Sequence, residues 1–335
     1  MTEKQYGGST GRENKSTKII QNPAHSQKTK TSKIEKENSK SNQTDKEKIL
    51  LAGKIASEVK EYAKIIIKKQ MSLLEIAEKI ENKIIELGGK PAFPVNTSIN
   101  EIAAHYTPSH DDKETAKGLL KIDFGVHVDG WIADSAFSID FENSEENRKL
   151  IKASEDSLES AIKTIRESVK IREVGKAINE KISSYGFSPI INLFGHSVEH
   201  WALHAGISIP NFDNGDNEKI KNGLYAIEPF ATSGNGKVYD GKPSGIYIIS
   251  EEKNVRSQTA REVLQFIKKE YKTLPFCSRW IVKHLGAKAM IGMKQLEENG
   301  NIYSYPSLVE SSRKNVAQSE HTMIVEGNNV IVTTR

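Results

Sequence analysis

Apolar residues recur along this chain at two periods, and the switches between them mark out its elements. Residues 49–69 carry apolar side chains at helical spacing with Lys and Glu between them, which predicts an amphipathic helix starting near Lys46. Ser72 opens a second helix. Glu75 three residues on completes a capping box, Ile76, Ile80 and Ile84 form one stripe, and Gly88-Gly89 stop it. The unit returns 98 residues later: residues 74–84 align with 172–182, Ile80 with Ile178, Lys83 with Lys181 and Gly88 with Gly186. Each copy continues through a proline-containing turn into an extended segment, 93–99 and 190–196, which predicts an internal duplication.

Between the copies the period drops to two. Residues 120–140 are two runs rich in β-branched and aromatic residues around Asp129-Gly130, the pair a type I′ turn requires. With that turn, Val128 faces Trp131, Asp123 faces Ala136 and Asp134 faces Gly125. Asp123 and Asp134 then leave the same face of the hairpin, diagonally placed and roughly 7–8 Å apart at the backbone. Two carboxylates on an otherwise apolar face repel each other and lose hydration, and a cation between them removes both penalties.

Downstream, Ser144 opens a helix expected to reach Val169. Asn192-Leu-Phe-Gly-His196 and Trp201-Ala-Leu-His-Ala-Gly206 read as strands with glycine breaks, and residues 223–230 as a strand ended by Pro229. The glycine-rich Ser233-Gly-Asn-Gly-Lys237 has no helix behind it, which argues against a phosphate loop. From Ser257 to about residue 312 the pattern is mostly helical, with one helix capped by Ser257 and another near 290–299. Two short strands, 320–325 and 330–334, close the chain around Gly327.

Composition narrows the chemistry. A chain of 335 residues, 36% hydrophobic, can bury a sizeable core. It holds no apolar run of the roughly 20 residues a membrane span needs, and its N-terminus lacks an apolar signal core; the expectation is a cytoplasmic protein. Cys277, the single cysteine, excludes internal disulfides and thiolate zinc sites, so metal ligands must be Asp, Glu and His. Residues 1–48 hold eleven Lys/Arg against six Asp/Glu, a net of +5 against +4 for the whole chain. Residues 1–45, with Tyr6 their only aromatic, read as a disordered basic tail whose charge could attract RNA-rich assemblies, with a solvated tail the simpler reading. Residues 46–335 are expected to form the folded domain.

His196, Glu228 and Glu320 share the character of the hairpin acids, each a polar side chain set in an apolar strand or beside glycine. Singly, such residues are more often core polar groups than ligands. Together with Asp123 and Asp134 they make four carboxylates and one imidazole, a set that two divalent ions would neutralise.

The order Asp, eleven residues, Asp, then Gly-His, Ile-Glu-Pro and Glu-His-Thr resembles the methionine aminopeptidases of the pita-bread fold. Phe93-Pro-Val-Asn96, Ala103-Ala-His-Tyr-Thr-Pro108, Leu203-His-Ala-Gly206 and Leu274-Pro-Phe-Cys-Ser-Arg-Trp280 resemble the type 2 branch, and the likeness spans about residues 48–335. It implies an α+β pita-bread fold with a pseudo-two-fold repeat and a helical type 2 insertion over about 257–312. It further implies that Asp123 holds one of two divalent ions (Co, Mn, Fe or Zn) and His196 with Glu228 the other, while Asp134 and Glu320 bridge both. Glu228 would be the proton shuttle. His105 and His204 would bind the scissile peptide, and Phe93, Leu203 and Ile246 would line a methionine pocket. The implied substrates are nascent polypeptide N-termini with a small second residue, cleaved by a monomer that the basic tail could bring to the ribosome. X-Pro-cleaving and non-enzymatic RNA-binding relatives of the same fold are the competing readings.

Overall fold

The computed structural model describes residues 38–335, with side chains from Thr44 onward. Residues 1–37, most of the expected tail, lie outside the described residues. The first half opens with α1 (Asn38–Ile66) and α2 (Leu73–Glu86), followed by β1 (Lys90–Ile99), β2 (Ile102–Ala104), β3 (Leu119–Val128) and β4 (Trp131–Asp140). Helix α1 therefore starts upstream of the expected boundary at Lys46, and Asp45 accepts a hydrogen bond from Trp131 Nε1 at 3.0 Å. The second half begins with α3 (Glu145–Thr164), α4 (Ile171–Ser184), β5 (Ser188–Pro189), β6 (Phe194–Val198), β7 (Ser208–Pro210), β8 (Gly223–Ile227) and β9 (Phe230–Thr232). Then come β10 (Val238–Ile249), α5 (Gln258–Glu270), β11 (Phe276–Cys277), α6 (Ser278–Leu285), α7 (Ala289–Glu298), β12 (Ile302–Glu310), β13 (Val316–Gln318), β14 (His321–Glu326) and β15 (Asn329–Val332).

The duplication is visible in the backbone. Helices α2 and α4 each have 14 residues, and each ends on a left-handed glycine, Gly88 at φ 90° and Gly186 at φ 81°. The N-termini differ: the Ser72 side chain accepts from the Glu75 amide, whereas Lys170 supplies no side-chain cap. The first copy then forms the unbroken β1; the second is split into β5 and β6 by a turn at Ile191-Asn192.

The hairpin pairs as its sequence demands. Val128 faces Trp131, Asp123 faces Ala136 and Gly125 faces Asp134, with Asp129 at φ 49° and Gly130 at φ 86°. On β3, the alternate residues Leu120, Ile122, Phe124 and Val126 pack with α1 and α2 in one core. Asp123 thus projects from the opposite face, away from the helices. A second core joins α3 and α4 to Ile209, Tyr225, Ile227, Met323 and Val325. The five-stranded sheet β15-β14-β8-β6-β7 lies across this half and the three-stranded β1-β3-β4 across the other. They meet where the Glu320 amide donates to Ala136 O at 3.1 Å.

Two expectations need correction. The expected helical stretch over about 257–312 is helical only to Glu298; Ile302–Glu310 is strand β12, paired with β10 and β2. Its partner β10, twelve residues long, contains Gly241, Pro243 and Gly245. The strand tolerates them because its register with β12 is irregular on both sides of Pro243, where no amide is available for the ladder. The second is residues 201–206, which form a turn rather than a strand. Trp201 adopts φ 59°, its amide donates to Gly130 O at 2.9 Å, and its ring lies against Gly130, folding the loop back on the hairpin tip.

Candidate metal centre

Five elements bring the sequence-predicted residues together. Asp123 and Asp134 come from the hairpin, His196 from β6, Glu228 from the proline-ended exit of β8, and Glu320 from the step into β14. Ligating atoms of Asp134, His196 and Glu320 lie within 4.8 Å of one another, and all three residues are buried. His196 Nε2 stands 3.7 Å from Asp134 Oδ2 and 3.9 Å from Glu228 Oε1. The backbone of Asp134 is held from β14: its amide donates to Thr322 Oγ1 at 2.7 Å, and the same hydroxyl donates to Asp134 O at 2.9 Å. The threonine of the Glu-His-Thr motif is thus a clamp, while His321 turns away to bond Thr334 Oγ1 at 2.7 Å.

Burial sets the electrostatics. It pushes the Asp123 carboxyl up to about 7, opposed by a hydrogen bond from Gln318. Asp134 is raised well above the usual carboxylate range by burial and then by the charge of Asp123. Glu228 rises through burial, then Asp123 and Asp134; Glu320 rises through burial, then Asp134, Glu228 and Asp123. Lys60 of α1 opposes this weakly from behind Glu320. His196 is driven well below the imidazole range by burial and by the neighbouring His204. Buried Asp123 Oδ1, Asp134 Oδ1 and Glu320 Oε1 have no hydrogen-bond partner among the described residues. Hard oxygens facing inward without partners, next to a neutral imidazole, are the donor set that first-row divalent cations take. The residues fit such ions.

The residues expected on the substrate side divide. The His204 ring stands edge-on to His196 at 4.3 Å. Desolvation of the ring, then the charge of His105, holds His204 below its ordinary pKa, although the residue as a whole is exposed. His105, in the left-handed region at φ 63°, lies 5.6 Å from Tyr305, and burial holds its pKa down at about 4. Phe93 and Leu203 join Ile132, Val198, Leu224 and Leu274 in one apolar cluster. Phe93 occupies the space a side chain at Gly125 would need, a Cβ there falling 2.4 Å from its ring; Phe93, Gly125 and Asp134 are successive cross-strand partners on β1, β3 and β4. Ile246, buried on β10 opposite Cys277, is not part of this cluster.

The profile of metallopeptidase family M24 matches residues 47–326. The chain belongs to that family. A methionine aminopeptidase from Pyrococcus abyssi is 50% identical to this M24 chain over 295 residues, 87% of this chain and 99% of that one. The structure of a thermophilic Arx1 superposes with a TM-score of 0.73 at 14% identity, covering 85% of this chain and 89% of that one. A methionine aminopeptidase from Thermotoga maritima superposes at 0.62 with 21% identity, covering 87% and 97%. At those identities the two structures establish the fold, an α+β pita-bread. Two residues of this M24 site escaped the sequence reading: Thr322, which binds the Asp134 backbone, and Gln318, which donates to Asp123 and Glu228. The alternation of Gln318-Ser-Glu320 was the available signal, since it places Gln318 on the same face as Glu320.

Proposed function

We propose that this metallopeptidase removes the N-terminal methionine from nascent proteins and peptides whose second residue is small. The observation that carries the reading is the convergence of unpartnered, buried carboxylate oxygens with His196 beside an apolar wall containing Phe93. Asp123 would hold one divalent ion, His196 and Glu228 a second, and Asp134 and Glu320 both. Two such ions, when bound, supply a water of lowered pKa and polarise the scissile carbonyl. Glu228 keeps its side chain 15% exposed at the edge of the centre, a position from which its carboxylate takes the proton of the attacking water and returns it to the leaving amine. The neutral rings of His105 and His204 orient the peptide unit and donate to the oxygen that gains charge. Phe93 and Leu203, with Ile246 at the margin, receive the methionine side chain. The stretch between β10 and β12 corresponds to the insertion of the type 2 branch. A monomer working on emerging chains, with its basic N-terminal segment directed toward the ribosome, completes the reading.

The test is reconstitution. Metal-free protein given Co or Mn is expected to release methionine from Met-Ala-Ser and to lose that activity on chelation. Product from X-Pro peptides with Met-Ala-Ser left intact would replace this assignment by the X-Pro one.

A further inference from the structure

Gln318 lies inside the acidic cluster, and the reading above gives it no part. It ends β13, where its backbone is gripped from both sides by one hydroxyl: its amide donates to Ser138 Oγ at 2.9 Å, and Ser138 Oγ donates to its carbonyl at 2.8 Å. It also pairs with Phe230 across β9, so its main chain is fixed against both halves of the molecule. The side chain is buried, and Nε2 donates at 3.3 Å to Asp123 Oδ2 and at 3.3 Å to Glu228 Oε2. A primary amide has two N–H bonds, and both are spent on carboxylates from opposite halves of the fold.

The amide can point only one way. Turned over, Oε1 would face two carboxylates, an acceptor against acceptors. A glutamine serving only to fill a core is normally satisfied at both ends, yet here Oε1 is buried without a partner among the described residues. The position gives up one hydrogen bond to hold the NH₂ group on Asp123 and Glu228. An uncharged donor is the suitable group, since Lys or Arg would supply N–H bonds but cancel the negative charge that a cation needs.

We propose that Gln318 is a positioning residue of the metal centre, fixing which oxygen of Asp123 and of Glu228 remains free to face the ions. With Oδ2 taken, Asp123 presents Oδ1, which is buried and unpartnered. With Oε2 taken, Glu228 presents Oε1, 3.9 Å from His196 Nε2. The inference rests on the two-ion reading. Because the amide spans ligands assigned to different ions, its loss weakens both, unlike a change at Asp123 alone.

The experiment is calorimetric titration of metal-free wild type and Gln318→Met with Mn, alongside steady-state kinetics at saturating metal. The variant keeps the length of the side chain and removes both donors. Expected are two ions bound by wild type, both bound about 10–100-fold more weakly by the variant, a lower kcat, and a KM for Met-Ala-Ser within about twofold of wild type. If Gln318→Met fails to fold, Gln318→Asn, whose amide falls one carbon short, reads the same quantities. Unchanged affinity for both ions in a folded variant overturns the proposal and leaves Gln318 a structural residue. Wild type that binds no ions overturns the two-ion reading beneath it, and the wild-type isotherm separates the two failures.

Discussion

Asp134 shows how much one residue can be asked to do. Its carboxylate lies within reach of both His196 and Glu320, and its amide and carbonyl are both bound by Thr322. Asp134→Ala is expected to abolish turnover and lower the number of ions bound, measured by metal analysis of the dialysed protein. Thr322→Val keeps the shape but leaves the buried Asp134 amide unpaired, an expected loss of about 1–3 kcal/mol in urea unfolding. His204, exposed and against His196, belongs to a different class. His204→Ala should retain its metal while kcat falls by roughly 10²–10³, as when one oxyanion donor is removed; unchanged kinetics would make it a structural histidine.

At the scale of elements, the contact that ties α6 to the first half is a buried ion pair. Arg279 donates from Nη1 to Glu81 Oε2 at 2.6 Å and from Nη2 to Glu81 Oε1 at 2.9 Å; Trp280 Nε1 reaches Glu81 Oε2 at 2.9 Å. Glu81 Oε1 also accepts from the Val95 amide, and Arg279 Nε donates to Pro108 O at 3.1 Å, so α2, β1 and the segment after His105 share one polar knot. This accounts physically for Arg-Trp in the Leu274–Trp280 motif. Such a pair contributes little net stability against an apolar replacement, but breaking one side strands a charge. Arg279→Met is expected to cost about 3–5 kcal/mol in urea unfolding, and the double variant Glu81→Leu/Arg279→Met distinctly less than the sum of the singles. Additive losses would mean that the two side chains act independently.

At the scale of the whole molecule, both halves contribute charges to one centre, so its ionisation is linked to global stability. Asp123 titrates near 7 in the fold, and Asp134, Glu228 and Glu320 are raised in the same direction. A carboxyl whose folded pKa is raised adds stability at low pH and loses it as pH climbs through the folded value. His105 and His127, held near 4 by burial, act in the opposite sense and remove stability as pH falls below about 6.5. Buried Lys121 and Lys60, lowered by desolvation to about 7 and about 8, gain stability as pH rises over the same range. The four raised carboxyls outnumber them, so the metal-free protein should melt at a higher temperature at pH 6.5 than at pH 8. Saturating Mn should reverse that order, because the ions replace the protons. A metal-free melting temperature that rises from pH 6.5 to 8 would show the carboxylates to be ionised without metal.

The sequence alone determined what depends on neighbours along the chain. Period-two alternation and the Asp129-Gly130 turn set the hairpin register, and so the shared face of Asp123 and Asp134; Ser72, Ser144 and Ser257 set where three helices start, because a cap is a contact over three residues. Even the five candidate ligands were legible, since a charge embedded in an apolar strand is conspicuous wherever it occurs. The tertiary structure decided what depends on partners far away. Residues 201–206 became a turn because Trp201 found Gly130. β10 kept its glycines and Pro243 because β12 could pair irregularly with it. Arg279 could be buried only where Glu81 was waiting. Alternation puts Gln318 on the face of Glu320, but only the arrival of Asp123 and Glu228 from opposite halves gives its amide two partners.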